Sequence, residues 1–100
     1  MNAIITNEEN RVLVSLNGRL DTTNAQEFEK QIAELYNPEI LNIEMDCSDF
    51  TYISSSGLRI LLTLQKSIMA RKGTLTLLNM RDEIKEVFEM TGFSSIFIIK

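Results

Sequence analysis

The sequence predicts an α/β domain: a mainly parallel sheet with an antiparallel strand at its N-terminal edge and helices gathered mostly on one face. Three observations carry this. Short apolar runs recur along the chain, stretches with helical spacing separate all but the first two of them, and the strand candidates hold polar residues at alternate positions. Strands joined through helices return in parallel by right-handed crossovers, whereas two strands joined by a short polar turn pair antiparallel. Parallel sheets covered on both faces have strands apolar throughout. Ser15, Asn42, Glu44, Thr74 and Thr76 therefore indicate one dry face and one that is wet or partly covered. Crossovers packed on one side also keep the strands in sequential order.

Residues 3–6 and 12–16 give the hairpin, turned at Asn7-Glu8-Glu9-Asn10, and Gly18 is expected to end its second strand. Arg19-Leu20-Asp21-Thr22-Thr23 leads into a helix capped by Asp21, Thr22 or Thr23, with Ala25, Phe28, Ile32, Leu35 and Tyr36 on one stripe. Asn37-Pro38 breaks it. Residues 40–46 alternate Leu41, Ile43 and Met45 against Asn42, Glu44 and Asp46, as a strand with one buried face does. Residues 47–53 carry the chain to three consecutive serines, and a second helix runs from about Ser56 to Lys72, stopped by Gly73. Residues 74–78 form another strand, Asn79 caps a third helix holding Ile84, Val87 and Phe88, Gly92 ends it, and residues 96–99 form a last strand.

One hundred residues with 44% hydrophobic content suit a single domain spanning 1–100. The net charge of −4, without a basic cluster, argues against nucleic acid and anionic membrane surfaces as partners. A lone Cys47, no leader pattern and no long apolar segment point to a cytoplasmic chain without direct membrane insertion. The lack of histidine removes the commonest general base and zinc ligand, and no serine has a glycine two residues before it, so a serine hydrolase is set aside. Asp21, Asp46 and Asp49 read as carboxylates facing water rather than as a magnesium site, and no other metal or cofactor is expected. Gly57 and Gly73 stand alone, which leaves nucleotide binding without a phosphate loop.

The stretch from Tyr52 to Arg59 is the one around which the rest is organised. A helix start leaves N–H groups unpaired and carries the positive end of the dipole, so a serine there can cap the helix or, phosphorylated, hold an anion. Plain capping is the simpler reading.

Taken in order, the early hairpin, Gly18-Arg19-Leu20-Asp21, the strand 41–46, Ser54-Ser55-Ser56-Gly57-Leu58 and Thr91-Gly92-Phe93 resemble the STAS domain, and within it the bacterial anti-sigma-factor antagonists. The family pattern Asp-Ser-Ser/Thr-Gly-Leu aligns Ser55 with its phosphorylated serine and puts Ser54 where the family often has Asp, which leaves Ser54 and Ser56 as alternative acceptors. Many relatives continue into another helix where this chain stops at Lys100, so the face that helix covers is expected to be more exposed. The resemblance implies a non-catalytic switch that regulates transcription. The unmodified protein binds an anti-sigma factor that is also a serine kinase and so frees a sigma factor; phosphorylation ends the interaction and a metal-dependent serine phosphatase restores it. Gly18, Arg19, Asp21, Thr22, Thr23, Ser54, Ser55, Ser56, Gly57 and Arg59 are expected to form one partner-binding surface, because both loops precede helices at one end of the sheet. The alternative is a STAS adaptor that is not phosphorylated, such as a subunit of a lipid-transport ABC system.

Overall fold

A computed structural model describes all 100 residues. Strands β1 (Asn2–Asn7), β2 (Val12–Leu20), β3 (Asn42–Ile53), β4 (Thr74–Leu78) and β5 (Ile98–Ile99) form one sheet in sequential order. β1 pairs antiparallel with β2, and every other pair is parallel. The helices are α1 (Ala25–Gln31), α2 (Ser55–Ala70) and α3 (Asp82–Met90), with 3₁₀ turns at Ala33–Tyr36 and Phe93–Ser95.

Alternation sorts the sheet into two faces. Val12, Val14, Leu16, Ile43, Met45, Leu75 and Leu77 are buried with Phe28, Ile32, Leu61, Leu64, Ile68, Ile84 and Phe88 of the helical layer. The intervening residues Leu13, Ser15, Glu44, Asp46, Thr76 and Leu78 are half-buried, so the opposite face is partly open, as expected. At the free edge, the Ala3 N–H donates to Gln31 Oε1 at 3.0 Å, which occupies one backbone group open to another strand.

Several boundaries differ from the sequence reading, each for a local reason. Gly18 does not end β2; it lies inside it at φ +98°, where β3 holds one residue more than β2 on each side of it. Residues 47–53 belong to β3, but two irregularities break their alternation, so the buried positions run Ile43, Met45, Cys47 and then Phe50 and Ile53. Leu41 is 50% exposed because its backbone is used for packing: its carbonyl accepts the Thr74 N–H at 2.8 Å and lies against Gly73.

The N-cap of α1 is Asn24, without a side-chain capping bond, and not Asp21, Thr22 or Thr23, because Asp21 Oδ1 is used on the turn before the helix; the apolar stripe ends as a 3₁₀ turn in which Leu35 is buried and Tyr36 half-buried. α2 starts one residue earlier and stops two earlier than its periodicity implies. Lys72, not Gly73, takes the left-handed position after α2, at φ 61°. The Lys72 N–H donates to the Met69 carbonyl at 3.0 Å and the Gly73 N–H to the Ile68 carbonyl at 2.8 Å, the two bonds of a Schellman ending. Gly73 is needed because a Cβ there would lie 2.5 Å from the Leu41 oxygen.

Asn79 does not cap α3. It is itself left-handed at φ 56° and donates its amide to Asp46 Oδ1, while Arg81 stands at the N-cap without a side-chain bond. The last strand is two residues long; Ile96 follows the 3₁₀ turn and Phe97 turns into the core against Phe88.

Candidate functional site

Parallel pairing brings the ends of β2 and β3 side by side, with Leu20 opposite Ile53. The chain then leaves both strands in the same direction, toward α1 and α2. The Ser54 N–H donates to the Leu20 carbonyl at 2.8 Å, so the segments Gly18–Thr23 and Ser54–Arg59 touch. Gly57 fits them still closer together, since a Cβ on it would lie 2.5 Å from Leu20 Cγ.

The three serines take three different positions. Ser54 is the N-cap, extended at φ −90° and ψ 170°, and its Oγ accepts the Gly57 N–H at 3.2 Å. Ser55 is the first helical residue and is exposed; Ser56 is half-buried. The residue that caps the helix is therefore not the one that offers its hydroxyl to solvent. Arg59, one turn beyond Ser55, is exposed, and it shares with Ser55, Leu58, Leu62, Thr91 and Phe93 a shallow groove of about 240 Å³.

The facing loop is held by a reciprocal pair. Asp21 Oδ1 accepts the Thr23 hydroxyl at 2.6 Å and the Thr23 and Asn24 N–H groups at 3.0 and 3.3 Å, while Asn24 Oδ1 accepts the Asp21 N–H at 2.9 Å. The Asn24 amide also donates to the Arg19 carbonyl at 2.8 Å. These donors, the Thr23 hydroxyl above all, hold the Asp21 carboxyl below its ordinary pKa. Asp46 is lowered in the same manner by the Ser48 N–H, with a smaller part from Asn79. Thr22 and Thr23 are exposed. Arg19 lies over the Tyr52 ring, its guanidinium carbon 4.3 Å from the centroid, across the β2–β3 pair.

All ten residues expected from the sequence thus lie in two touching segments. Sequence reasoning missed Asn24, which exchanges hydrogen bonds with Asp21 three residues before it, and Tyr52 as a surface residue of the site. Phe50 is core and Tyr52 is 41% exposed. Thr91 and Phe93 counted toward the resemblance but not toward the site, because they approach Ser55 only through the fold.

No side-chain base is hydrogen-bonded to any of the three serines; the one side-chain bond among them is the Gly57 N–H to Ser54 Oγ. The arrangement offers a hydroxyl at a positive helix end with two cations, Arg19 and Arg59, on the same two segments, and so suits the receipt of an anionic group. No helix is long and apolar enough to cross a membrane.

The model of the STAS domain family matches residues 2–100. BtrV of Bordetella bronchiseptica is 33% identical over 86 residues, covering 86% of this chain and 74% of BtrV. The anti-sigma-B factor antagonist of Listeria monocytogenes is 31% identical over 84 residues, 83% of this chain and 73% of the relative. The structure of the Bacillus cell fate determinant SpoIIAA in its phosphorylated form is similar in fold, with TM-score 0.75, 19% identity and coverage of 99% and 91% of the two chains. From residue 2 to residue 100, the chain belongs to the STAS domain family.

Proposed function

We propose that this chain is an anti-sigma-factor antagonist that acts in the cytosol by binding, without catalysis of its own, and is switched by phosphorylation of Ser55. The observation that carries this is the division between Ser54, which caps α2 through Oγ, and Ser55, which is exposed at the first helical position. The relatives named as anti-sigma factor antagonists support the first half of the reading. The unmodified form binds a serine kinase that doubles as anti-sigma factor, and a metal-dependent serine phosphatase reverses the modification.

The physics fits a switch that leaves the fold alone. A phosphate on Ser55 adds about −1.5 to −2 charges, which the helix dipole favours by about 0.3–1 kcal/mol. The same charge inside a docked interface must be desolvated, at several kcal/mol where no cation meets it. Affinity is then lost while the domain keeps its shape.

The test uses the anti-sigma factor of the host with ATP. Wild type takes up phosphate on Ser55, Ser55→Ala takes up none, and Ser55→Asp docks more weakly than wild type. Phosphorylation of the alanine variant at the wild-type rate would reject Ser55 as the acceptor. Capture of a transporter ATPase by both wild type and Ser55→Asp, with no phosphate on any serine, would instead establish the adaptor function.

A further inference from the structure

The charges of this chain are divided unevenly. No acidic residue occurs between Asp49 and Asp82, where Arg59, Lys66, Arg71, Lys72 and Arg81 lie, so all 14 carboxylates belong to the remainder. The sequence shows no run of cations, but α2 winds those of its own segment together and is the one α-helix without a carboxylate. Arg71 turns inward, donating to Ser67 Oγ and the Leu35 carbonyl. Arg59 and Lys66 stay exposed on the outer side with Lys72 beyond the end, and none of the three has a carboxylate partner, since both ion pairs of the molecule are made by Arg11.

The helix dipole accounts for Lys72 but not for Arg59. Cations stabilise a helix C-terminus, and Arg59 sits near the N-terminal end, where it opposes the dipole. Nothing inside the molecule compensates it. Between the cations the outer side offers two apolar side chains, Leu62, half-buried, and Met69, 56% exposed.

We infer that the outer side of α2, from Ser55 to Lys72, docks an acidic patch on a protein partner, with carboxylates meeting Arg59 and Lys66 and an apolar group covering Met69. The face is about 24 Å long at the rise of an α-helix. A lipid surface fits poorly, because Leu62 and Met69 give too little apolar area to insert. A nucleic acid fits poorly, because the carboxylates of the remainder repel a long polyanion. For the identity of the partner, the anti-sigma factor, the inference rests on the antagonist reading; for the chemistry of the partner it rests on α2 alone. It adds a reason for the switch: a phosphate on Ser55 stands one turn before Arg59, at the favourable spacing for a helical ion pair, and occupies a cation the partner uses.

Two measurements test it. Arg59→Gln/Lys66→Gln should bind the anti-sigma factor ~10-fold more weakly than wild type, with a flatter salt dependence, while Lys30→Gln/Lys85→Gln binds as wild type does. Equal affinity of the α2 double variant and wild type would overturn the inference. Separately, hexaglutamate, too short to reach the carboxylates of the remainder, titrated into ¹⁵N-labelled protein should shift amides of residues 55–72 foremost, and phosphatidylglycerol vesicles should not bind. Absence of those shifts, or vesicle binding in their place, overturns the inference whatever the partner is. If wild type ignores the anti-sigma factor yet hexaglutamate still marks α2, the antagonist reading falls and the acidic-partner inference stands.

Discussion

The Leu20 side chain occupies the space that a Cβ on Gly57 would need, with Cγ at 2.5 Å and Cδ2 at 2.7 Å from that position, and Ile53 Cγ1 at 3.4 Å behind it. Leu20 is fully buried, so it has little room to withdraw. Gly57→Ala should therefore lower stability by about 1–3 kcal/mol, the usual cost of forcing a methyl into a packed site. Urea unfolding followed by circular dichroism measures this. A loss within error of zero would mean that Leu20 yields freely and that the two segments are not locked through it.

Neighbouring serines should separate stability from modification. Ser54→Ala removes the oxygen that accepts the Gly57 N–H and should cost about 0.5–2 kcal/mol, whereas Ser55→Ala, at an exposed first-turn position, should change stability by less than about 0.5 kcal/mol. Thermal melts of the two variants side by side decide it. A larger loss for Ser55→Ala than for Ser54→Ala would show that the cap is assigned to the wrong serine.

How much of this was legible in the sequence depended on whether one residue spacing governed a segment. Ile43 and Met45 obey strict alternation, and α2 keeps its helical stripe, so both elements and their buried faces were readable. After Cys47 the two irregularities in β3 interrupt the period, and residues 47–53 could be read only as the way to the serines and not as strand. Leu41 fitted the alternation but lies outside the strand, because Gly73 draws its backbone close. Asn79 had the chemistry of a cap and was placed instead in a left-handed turn against Asp46, a residue 33 positions away. At the site, the adjacency of Gly18–Thr23 and Ser54–Arg59 followed from parallel strand order alone. The approach of Thr91 and Phe93 to Ser55 depends on how α3 returns and left no trace in local pattern.

Acid should weaken the fold through Asp21 and Asp46. Both carboxyls have lowered folded-state pKa values, so each contributes stability that is present above the unfolded value of about 3.9 and is lost as pH falls through the lower folded value. Asn at position 21 can still accept with its amide oxygen, but it does not titrate. Denaturation midpoints collected from neutral pH down through the carboxylate range should thus fall less steeply for Asp21→Asn/Asp46→Asn than for wild type. Parallel curves would show that neither turn carries the acid sensitivity.

Cys47 should be chemically silent in the folded protein. It is 1% exposed, and burial, with a smaller contribution from Asp46, pushes its thiol up to about 12. A disulfide reagent at neutral pH should react only as fast as the domain opens, and faster as urea is added. Above the unfolded thiol value of about 8.5, the unfolded chain releases a proton that the folded one keeps, so stability should decline with rising pH. Rapid labelling without denaturant would show that β3 opens locally around Cys47.

The uneven count of residues between β2 and β3 has a consequence for how mutations will be tolerated. In the regular half of β3, a substitution scan should show a two-beat rhythm, with intolerance at Ile43, Met45 and Cys47 and permissiveness between them. Past Ser48 the sensitive positions fall at Phe50 and Ile53, three apart. A single deletion near Ser48 would restore an even count against β2 there and bring Phe50 two residues after Cys47, on the same buried side, whereas a deletion of Glu44 would put Met45 directly after Ile43 and so on the other side. The strand leading to Ser54 is thus frame-sensitive where it is regular and forgiving where it is not. Its irregularities are what aim the serines, and a chain of smoother strand geometry would present a different residue at the start of α2.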